Sequence, residues 1–191
     1  MPRSSDARDK AIATTARLLC RQGYAATGLS EVLELSGAPK GSFYFHFPGG
    51  KEQLATEAIR SAASYVLHMM QVTLDRSETP QDAVRSLAAL FAGWLERSDY
   101  VEGCPVTTVT LETEPGSGPL ADACAASFQN WQGSMRRYLE AHGYDADRSA
   151  KLANLIMCSL EGAFVLSRSQ MSPKPFSDAA DLLLELLAPP N

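Results

Sequence analysis

The sequence is poor in groups that serve metal or redox chemistry. Its four cysteines, Cys20, Cys104, Cys124 and Cys158, lie far apart and form no C-x-x-C pair. That spacing excludes a zinc ribbon or knuckle. It is also unlike a small disulfide scaffold, so reduced thiols are expected. The three histidines, His46, His68 and His142, form no H-x-x-x-H pair. No metal and no other cofactor is expected. No apolar run approaches the ~18 residues of a membrane span. The first ten residues are polar, without the apolar stretch of a signal peptide. A cytoplasmic location away from membranes is therefore the expectation. There is no internal repeat and no low-complexity tract.

What is present describes an ordinary globular chain. Its 191 residues (20.6 kDa) suit one or two domains. With 45% hydrophobic and 20% charged residues it can bury a real core, which excludes wholesale disorder. The net charge of −5 is unevenly placed. Residues 1–60 hold eight Lys/Arg against six Asp/Glu, a balance of +2, and the remaining residues carry −7. Only the first part has a charge balance suited to nucleic acid.

The chain reads helical nearly throughout. Ser5 or Asp6 can cap a first helix that carries Ile12, Ala16 and Leu19 on one face, and Gly23 stops it. A short second helix follows, with Leu29, Val32 and Leu33 at i, i+3 and i+4, ending at Ser36-Gly37. A third runs from about Pro39 to Phe47, closed by Pro48-Gly49-Gly50. A long helix covers residues 51–76, with Ala55, Ile59, Ala62, Val66 and Met70 at a 3.6 period. Thr79-Pro80 opens the next: Thr79 is the N-cap and Asp82 takes the third position. Val84, Leu87, Ala88, Phe91 and Trp94 form its stripe. Residues 103–114 suit a short strand or a short helix, and the helical surroundings favour a helix. Residues 115–119 are a loop.

Two long helices come next, to about His142 and over residues 146–170. The first is marked by Leu120, Cys124, Phe128, Trp131, Met135 and Tyr138. The second is apolar on more than one side. Pro173 and Pro175 break it, and a last helix spans about 176–188 with five leucines in six positions. Helices apolar over most of their surface are buried on several sides. At this end of a small protein that suggests either a subunit interface or a central place in the monomer core. The expected architecture is all-α with about nine helices. Residues 1–50 form a helix-turn-helix head and residues 51–191 a helical body.

The segment over residues 23–54 carries the function. Two short helices meet at Ser36-Gly37-Ala38, where steep crossing needs a small residue that reaches φ > 0. The second shows Lys40, Ser42, Tyr44 and His46 among small and aromatic residues, a polar face suited to a major groove. Here the chain resembles the TetR family of one-component bacterial regulators. The likeness lies in the G-Y-x-A-T entry (Gly23, Tyr24, Ala26, Thr27), the S-G-A turn, K-G-S-F-Y-x-H-F over residues 40–47, and K-E-x-L (Lys51, Glu52, Leu54). The variants G-A-P-K-G and F-P-G-G-K-E, with G-C-P-V over residues 103–106, are similar to its LmrA-like multidrug-regulator subgroup.

The resemblance implies a DNA-binding head of three helices. It implies a body that dimerises through its last two helices and encloses a ligand pocket. The ligand shifts the spacing of the two heads, and DNA is released. Relatives mostly carry Thr or Ser where Gly28 stands and Ser where Pro39 stands, so either Thr27 caps the second helix or that cap is weaker. The Gly49-Gly50 pair makes the following turn one residue longer than usual.

Roles follow. Lys40 and Lys51 are phosphate contacts, Lys51 at a helix N-terminus that favours anions. Tyr44 resembles the family tyrosine whose hydroxyl meets the DNA backbone. Gly41 and Ser42 approach base edges, His46 reaches a phosphate or base, and Thr27 contacts the backbone. Phe43 and Phe47, four apart, are core pins of the head. In the body, Tyr65, Met69, Phe91, Trp94, Phe128, Trp131, Met135 and Phe164 are candidates to line the pocket, because aromatics and methionines suit lipophilic ligands. Glu161, on an apolar helix, is a candidate hydrogen-bond partner there. Cys104, at a helix start, is either an electrophile-sensing thiol or a small buried apolar residue.

Two partners are implied besides a second copy of the chain: a double-stranded DNA operator and a small-molecule effector. The leading reading is a repressor released by a lipophilic or aromatic effector. The alternative is an electrophile or redox sensor switched through Cys104. A helical enzyme would need a nucleophile–base–acid spacing, a metal pair or a phosphate loop, and none is found. A helical adaptor remains as the reading in which the head lacks DNA affinity.

Overall fold

A computed structural model describes residues 4–187. Among them are nine α-helices and no strand: α1 (Ser4–Ala26), α2 (Leu29–Ser36), α3 (Lys40–His46), α4 (Gly50–Arg76), α5 (Pro80–Arg97), α6 (Pro105–Thr110), α7 (Pro119–Ala141), α8 (Ala146–Gln170) and α9 (Lys174–Leu186). The all-helical expectation holds, and the open choice at residues 103–114 resolves as a short helix.

Several boundaries follow local chemistry. The Thr79 hydroxyl accepts the Asp82 N–H at 3.1 Å and Pro80 opens α5, as the sequence predicts. Asp145 caps α8 in the same way, through the Arg148 N–H at 2.9 Å. Three expectations need correction. The first helix begins at Ser4, so Asp6 lies in its first turn rather than at its cap, and the Ser5 side chain falls outside the described residues. Gly23 interrupts α1 with φ +77° and ψ −173°, but one more helical turn follows over residues 24–26. Pro175 does not break a helix. It sits in the first turn of α9, where its missing N–H costs nothing.

The chain divides into two compact units. One takes the residues up to Tyr65 with Cys104–Ser127, and the other takes Val66–Gly103 with the residues from Phe128 onward. In the first, α1 packs against α2 and α6. Its core includes Leu19, Val32, Phe43, Phe47, Leu54, Ile59 and Val106, all buried. In the second, α5, α8 and α9 pack on one another. Phe164 of α8 ties them together, its ring 5.5 Å from Phe91 of α5 and 5.0 Å from Phe176 of α9.

By length and mean hydropathy (1.3), α8 is the one described helix long and apolar enough to cross a membrane. A test of unbroken apolar runs misses it, because Asn154, Ser159, Glu161 and Ser167 interrupt the run. Leu152, Ile156, Leu160 and Phe164 are buried along one side, as in a core helix. Leu155, Val165 and Leu166 are exposed on another side.

Candidate nucleic-acid interface

The turn between α2 and α3 is built from small residues. Gly37 takes φ +68°, ψ 16°, a left-handed position that favours glycine, and its N–H donates to the Glu34 carbonyl at 3.3 Å. The Ser36 hydroxyl accepts the Ala38 N–H at 3.3 Å, which fixes the next step of the chain. Pro39 then starts α3 from an extended conformation and offers no side-chain cap.

With seven residues and no cap, α3 is too short to hold itself together in water. Phe43 and Phe47 hold it. Both are buried, with ring centroids 5.3 Å apart, and each contributes about 2 kcal/mol through apolar surface removed from water. The predicted role of these two as core pins holds.

Pinning that side turns the other outward. Lys40, Gly41, Tyr44 and Phe45 are exposed, and their spacing of one, four and five residues makes one strip along α3. Tyr44 is 63% exposed and packs edge-on against Phe43. Phe45 is 83% exposed, and no large hydrophobic residue described is more so. Phe45 is not among the residues expected at the interface; its phase on α3, opposite Phe43 and Phe47, is the signal in the sequence that turns it outward. His46 is half-buried, its ring between those of Phe45 and Phe47. The Ser42 side chain lies outside the described residues.

The turn into α4 is held by a polar relay. The Arg8 guanidinium pairs with Glu57 and lies over the Phe47 ring, 5.5 Å from its centroid. Glu57 accepts from the Gln53 amide at 2.9 Å, and the Gln53 carbonyl accepts the Gly49 N–H at 2.9 Å. The relay runs from α1 through α4 to the Gly49-Gly50 turn, just before Lys51. The Lys51 ammonium rests 4.4 Å from the centroid of the Tyr24 ring and donates to the Ala25 carbonyl at 3.4 Å. Burial, helped by the Glu52 carboxylate, pushes the Tyr24 hydroxyl above its ordinary pKa.

Thr27 departs from expectation. It is 2% exposed, and its hydroxyl donates back to the Gly23 carbonyl at 2.6 Å. It does not cap α2, whose N-cap is Gly28 without a side-chain bond, and its bonded hydroxyl faces the interior rather than the outward strip. A residue the sequence did not suggest also acts here. The Glu112 carboxylate accepts the Tyr24 N–H at 2.6 Å and the Ala25 N–H at 2.8 Å. Glu112 lies 88 residues from Tyr24, and no periodicity links such a pair.

Comparison with known proteins decides the family. Residues 11–58 match the model of bacterial regulatory proteins of the tetR family. Residues 80–182 match the LmrA/YxaF-like transcriptional regulator C-terminal domain.

The chain belongs to the TetR family.

Among its relatives is the HTH-type transcriptional regulator YxaF of Bacillus subtilis (strain 168), 35% identical over 92% of both chains. Another is the HTH-type transcriptional regulator LmrA of the same organism, 30% identical over 95% of this chain and 97% of the relative. Among solved structures, the TetR-family regulator CifR, a cysteine mutant complexed with a 26-bp double-strand operator DNA, superposes with a TM-score of 0.81. It is 19% identical and covers 94% of this chain and 96% of its own. This TetR-family chain is thus a DNA-binding transcriptional regulator with a TetR fold and an LmrA/YxaF-like C-terminal domain.

The body residues of this TetR-family chain fall into separate groups. Phe91, Trp94 and Phe164 come together, with Phe91 5.2 Å from Trp94 and 5.5 Å from Phe164. Phe91 and Phe164 are buried there and Trp94 is half-buried. On α7, Phe128 packs edge-on against Trp131 at 5.5 Å, and Trp131 and Met135 are fully buried one turn apart. Met69 and Glu161 are half-buried on α4 and α8. Tyr65 is exposed, and both Tyr65 and Cys104 belong to the compact unit that holds α1–α3. Cys104 is buried at the N-cap of α6, and no disulfide forms among the described cysteines.

Proposed function

We propose that the chain is a ligand-released transcriptional repressor that binds a near-palindromic operator as a homodimer. The observation that carries this reading is the outward strip of α3, Lys40, Gly41, Tyr44 and Phe45, with Lys51 at the start of the next helix. Such a strip suits a major groove: a short helix presents small and aromatic side chains to base edges, and flanking cations meet phosphates. Lys40, Tyr44 and Lys51 are the backbone contacts, His46 reaches a phosphate or a base, and Gly41 with Ser42 approaches the bases. Residues 1–50 form the DNA-binding domain, joined at the interface by Lys51 from the start of α4, and residues 51–191 otherwise carry effector binding and dimerisation.

Dimerisation runs through α8 and α9. Leu155, Val165 and Leu166 on α8 and Leu182 and Leu186 on α9 are exposed apolar side chains. Cys158 and Gly162 continue the α8 set at helical spacing and are also exposed. A stripe of this kind on two packed helices suits a two-fold partner, with the same patch on both copies. The two recognition helices then enter successive major grooves, and half-site spacing follows the two-fold axis.

The effector is a small lipophilic or aromatic molecule held by the body, for which Met69, Trp94, Phe128 and Glu161 keep partly exposed side chains. It favours the head spacing that misfits DNA, so release is a population shift limited by its differential affinity for the two states. The burial of Cys104 supports this reading over a thiol switch. The proposal entails a cytoplasmic protein whose partners are DNA, an effector and its own copy, with no membrane.

Fluorescence anisotropy on the intergenic DNA flanking its own gene, at two salt concentrations and with a panel of planar aromatic compounds, tests this. Tight, salt-sensitive binding released by one compound is the expected result. Release by thiol-reactive compounds alone moves the switch to Cys104. Absence of binding at low salt leaves an adaptor.

A further inference from the structure

Glu112 follows α6 in a turn fixed by its own N–H, which donates to the Val109 carbonyl at 3.0 Å. Its side chain reaches back to α1. One oxygen accepts the amide hydrogens of Tyr24 and Ala25, at 2.6 and 2.8 Å. These are charge-assisted bonds, shorter and stronger than neutral ones. The site is cut to fit. A Cβ on Gly23 would collide with the Glu112 carboxylate, and φ of +77° excludes most other residues in any case. From the far side, Thr27 holds the Gly23 carbonyl.

The same two residues hold Lys51. Its ammonium lies over the ring of Tyr24 and donates to the carbonyl of Ala25. Glu112 therefore grips the amides of the two residues whose ring and carbonyl seat the lysine. A second touch lies beside it. A Cβ on Gly118, in the loop before α7, would sit 3.1 Å from Glu52, the neighbour of Lys51. The 104–127 segment thus approaches both α1, at Tyr24 and Ala25, and the first turn of α4, at Glu52, inside one compact unit.

We propose that Glu112 is a positioning residue for DNA binding: by clamping the Tyr24 and Ala25 amides it fixes the seat from which Lys51 meets a phosphate. The proposal rests on the DNA-binding reading of Lys51 given above. Glu112 itself touches no DNA. Its effect is carried by Tyr24 and Ala25, and it disappears when Lys51 is absent.

The test is a double-mutant cycle on the full-length chain, with the intergenic DNA flanking its own gene as probe over a salt series. Glu112→Ala weakens binding about fivefold. It also lowers the salt slope by about one unit, as loss of one phosphate contact does. Glu112→Gln recovers part of the affinity, because its amide oxygen still accepts both hydrogens. In a Lys51→Ala background, Glu112→Ala adds nothing. A thermal melt of each variant shows that it is folded. Additive losses, or weaker binding with an unchanged salt slope, would mean that Glu112 serves head stability alone and would overturn the proposal. Unchanged or tighter binding by Glu112→Ala overturns it too. Failure of the wild-type chain to bind strikes the DNA-binding reading itself, and so is distinguished from failure of Glu112.

Discussion

The Lys51 ammonium sits 4.4 Å above the Tyr24 ring, held between an aromatic face and the Ala25 carbonyl. A cation over a ring keeps its charge while losing conformational freedom. In the proposed complex, Lys51 would meet a phosphate already oriented by these two contacts. Lys51→Ala is expected to weaken binding to all DNA sequences alike. It should flatten the plot of log affinity against log salt by about one unit. An unchanged slope in anisotropy titrations would remove Lys51 from the interface.

The proposed interface asks a different kind of contact of Phe45. An exposed ring on the outward strip offers apolar surface to a thymine methyl in the major groove. Phe45→Ala should cost about tenfold on the preferred operator, the scale of one lost base-pair preference. Non-sequence-specific binding and the thermal midpoint should both stay put. Equal losses on specific and random DNA would show that Phe45 reads no base.

The α8–α9 stripe predicts a charge-sensitive assembly. Val165→Glu puts a carboxylate on its exposed apolar face. Sedimentation velocity should then report a monomer, with operator affinity collapsing in parallel. A variant that sediments like the wild type would place the interface elsewhere.

Phe164 joins three helices through two ring contacts. Phe164→Ala should cost about 3–5 kcal/mol, as deletion of a large buried ring does. Urea melts of the two proteins would give the difference directly.

Tyr144 supplies a pH dependence. Its hydroxyl donates to the Leu187 carbonyl at 2.9 Å, and burial raises its pKa above 10.0 despite the opposing Arg148 charge. The folded state therefore holds the proton more tightly than the unfolded chain. The resulting stability is complete below the ordinary tyrosine pKa and is lost as pH rises through the raised value. Melting points should fall on the alkaline side of pH 10, and less steeply in Tyr144→Phe. Identical alkaline limbs would show that Tyr144 does not contribute.

Local signals made most of the fold legible. Thr79-Pro80 with Asp82 announces α5, and Phe43 with Phe47 fixes which side of α3 is buried. Both depend on residues within one or two turns of each other. What escaped reading depends on contacts across the chain. Thr27 looks like a cap or a DNA contact by position, yet the reversal at Gly23 turns its hydroxyl inward. Glu112 and the Arg8–Glu57 pair are set by packing of helices far apart in sequence. The body residues were legible as apolar but not as a site, since Trp131 and Met135 follow the same spacing whether they meet a ligand or a neighbouring helix.

The division of labour on α3 has a consequence for how such a regulator changes its target. Phe43 and Phe47 carry the folding of the helix, while Lys40, Gly41, Tyr44 and Phe45 point away from the core. Apart from the edge of Tyr44 resting on Phe43, the strip takes little part in holding the helix. If the strip reads DNA as proposed, substitutions at its base-facing positions, Gly41 and Phe45, alter which DNA is preferred while drawing little on the stability of the scaffold. New operators are then reachable by single steps through proteins that all remain folded.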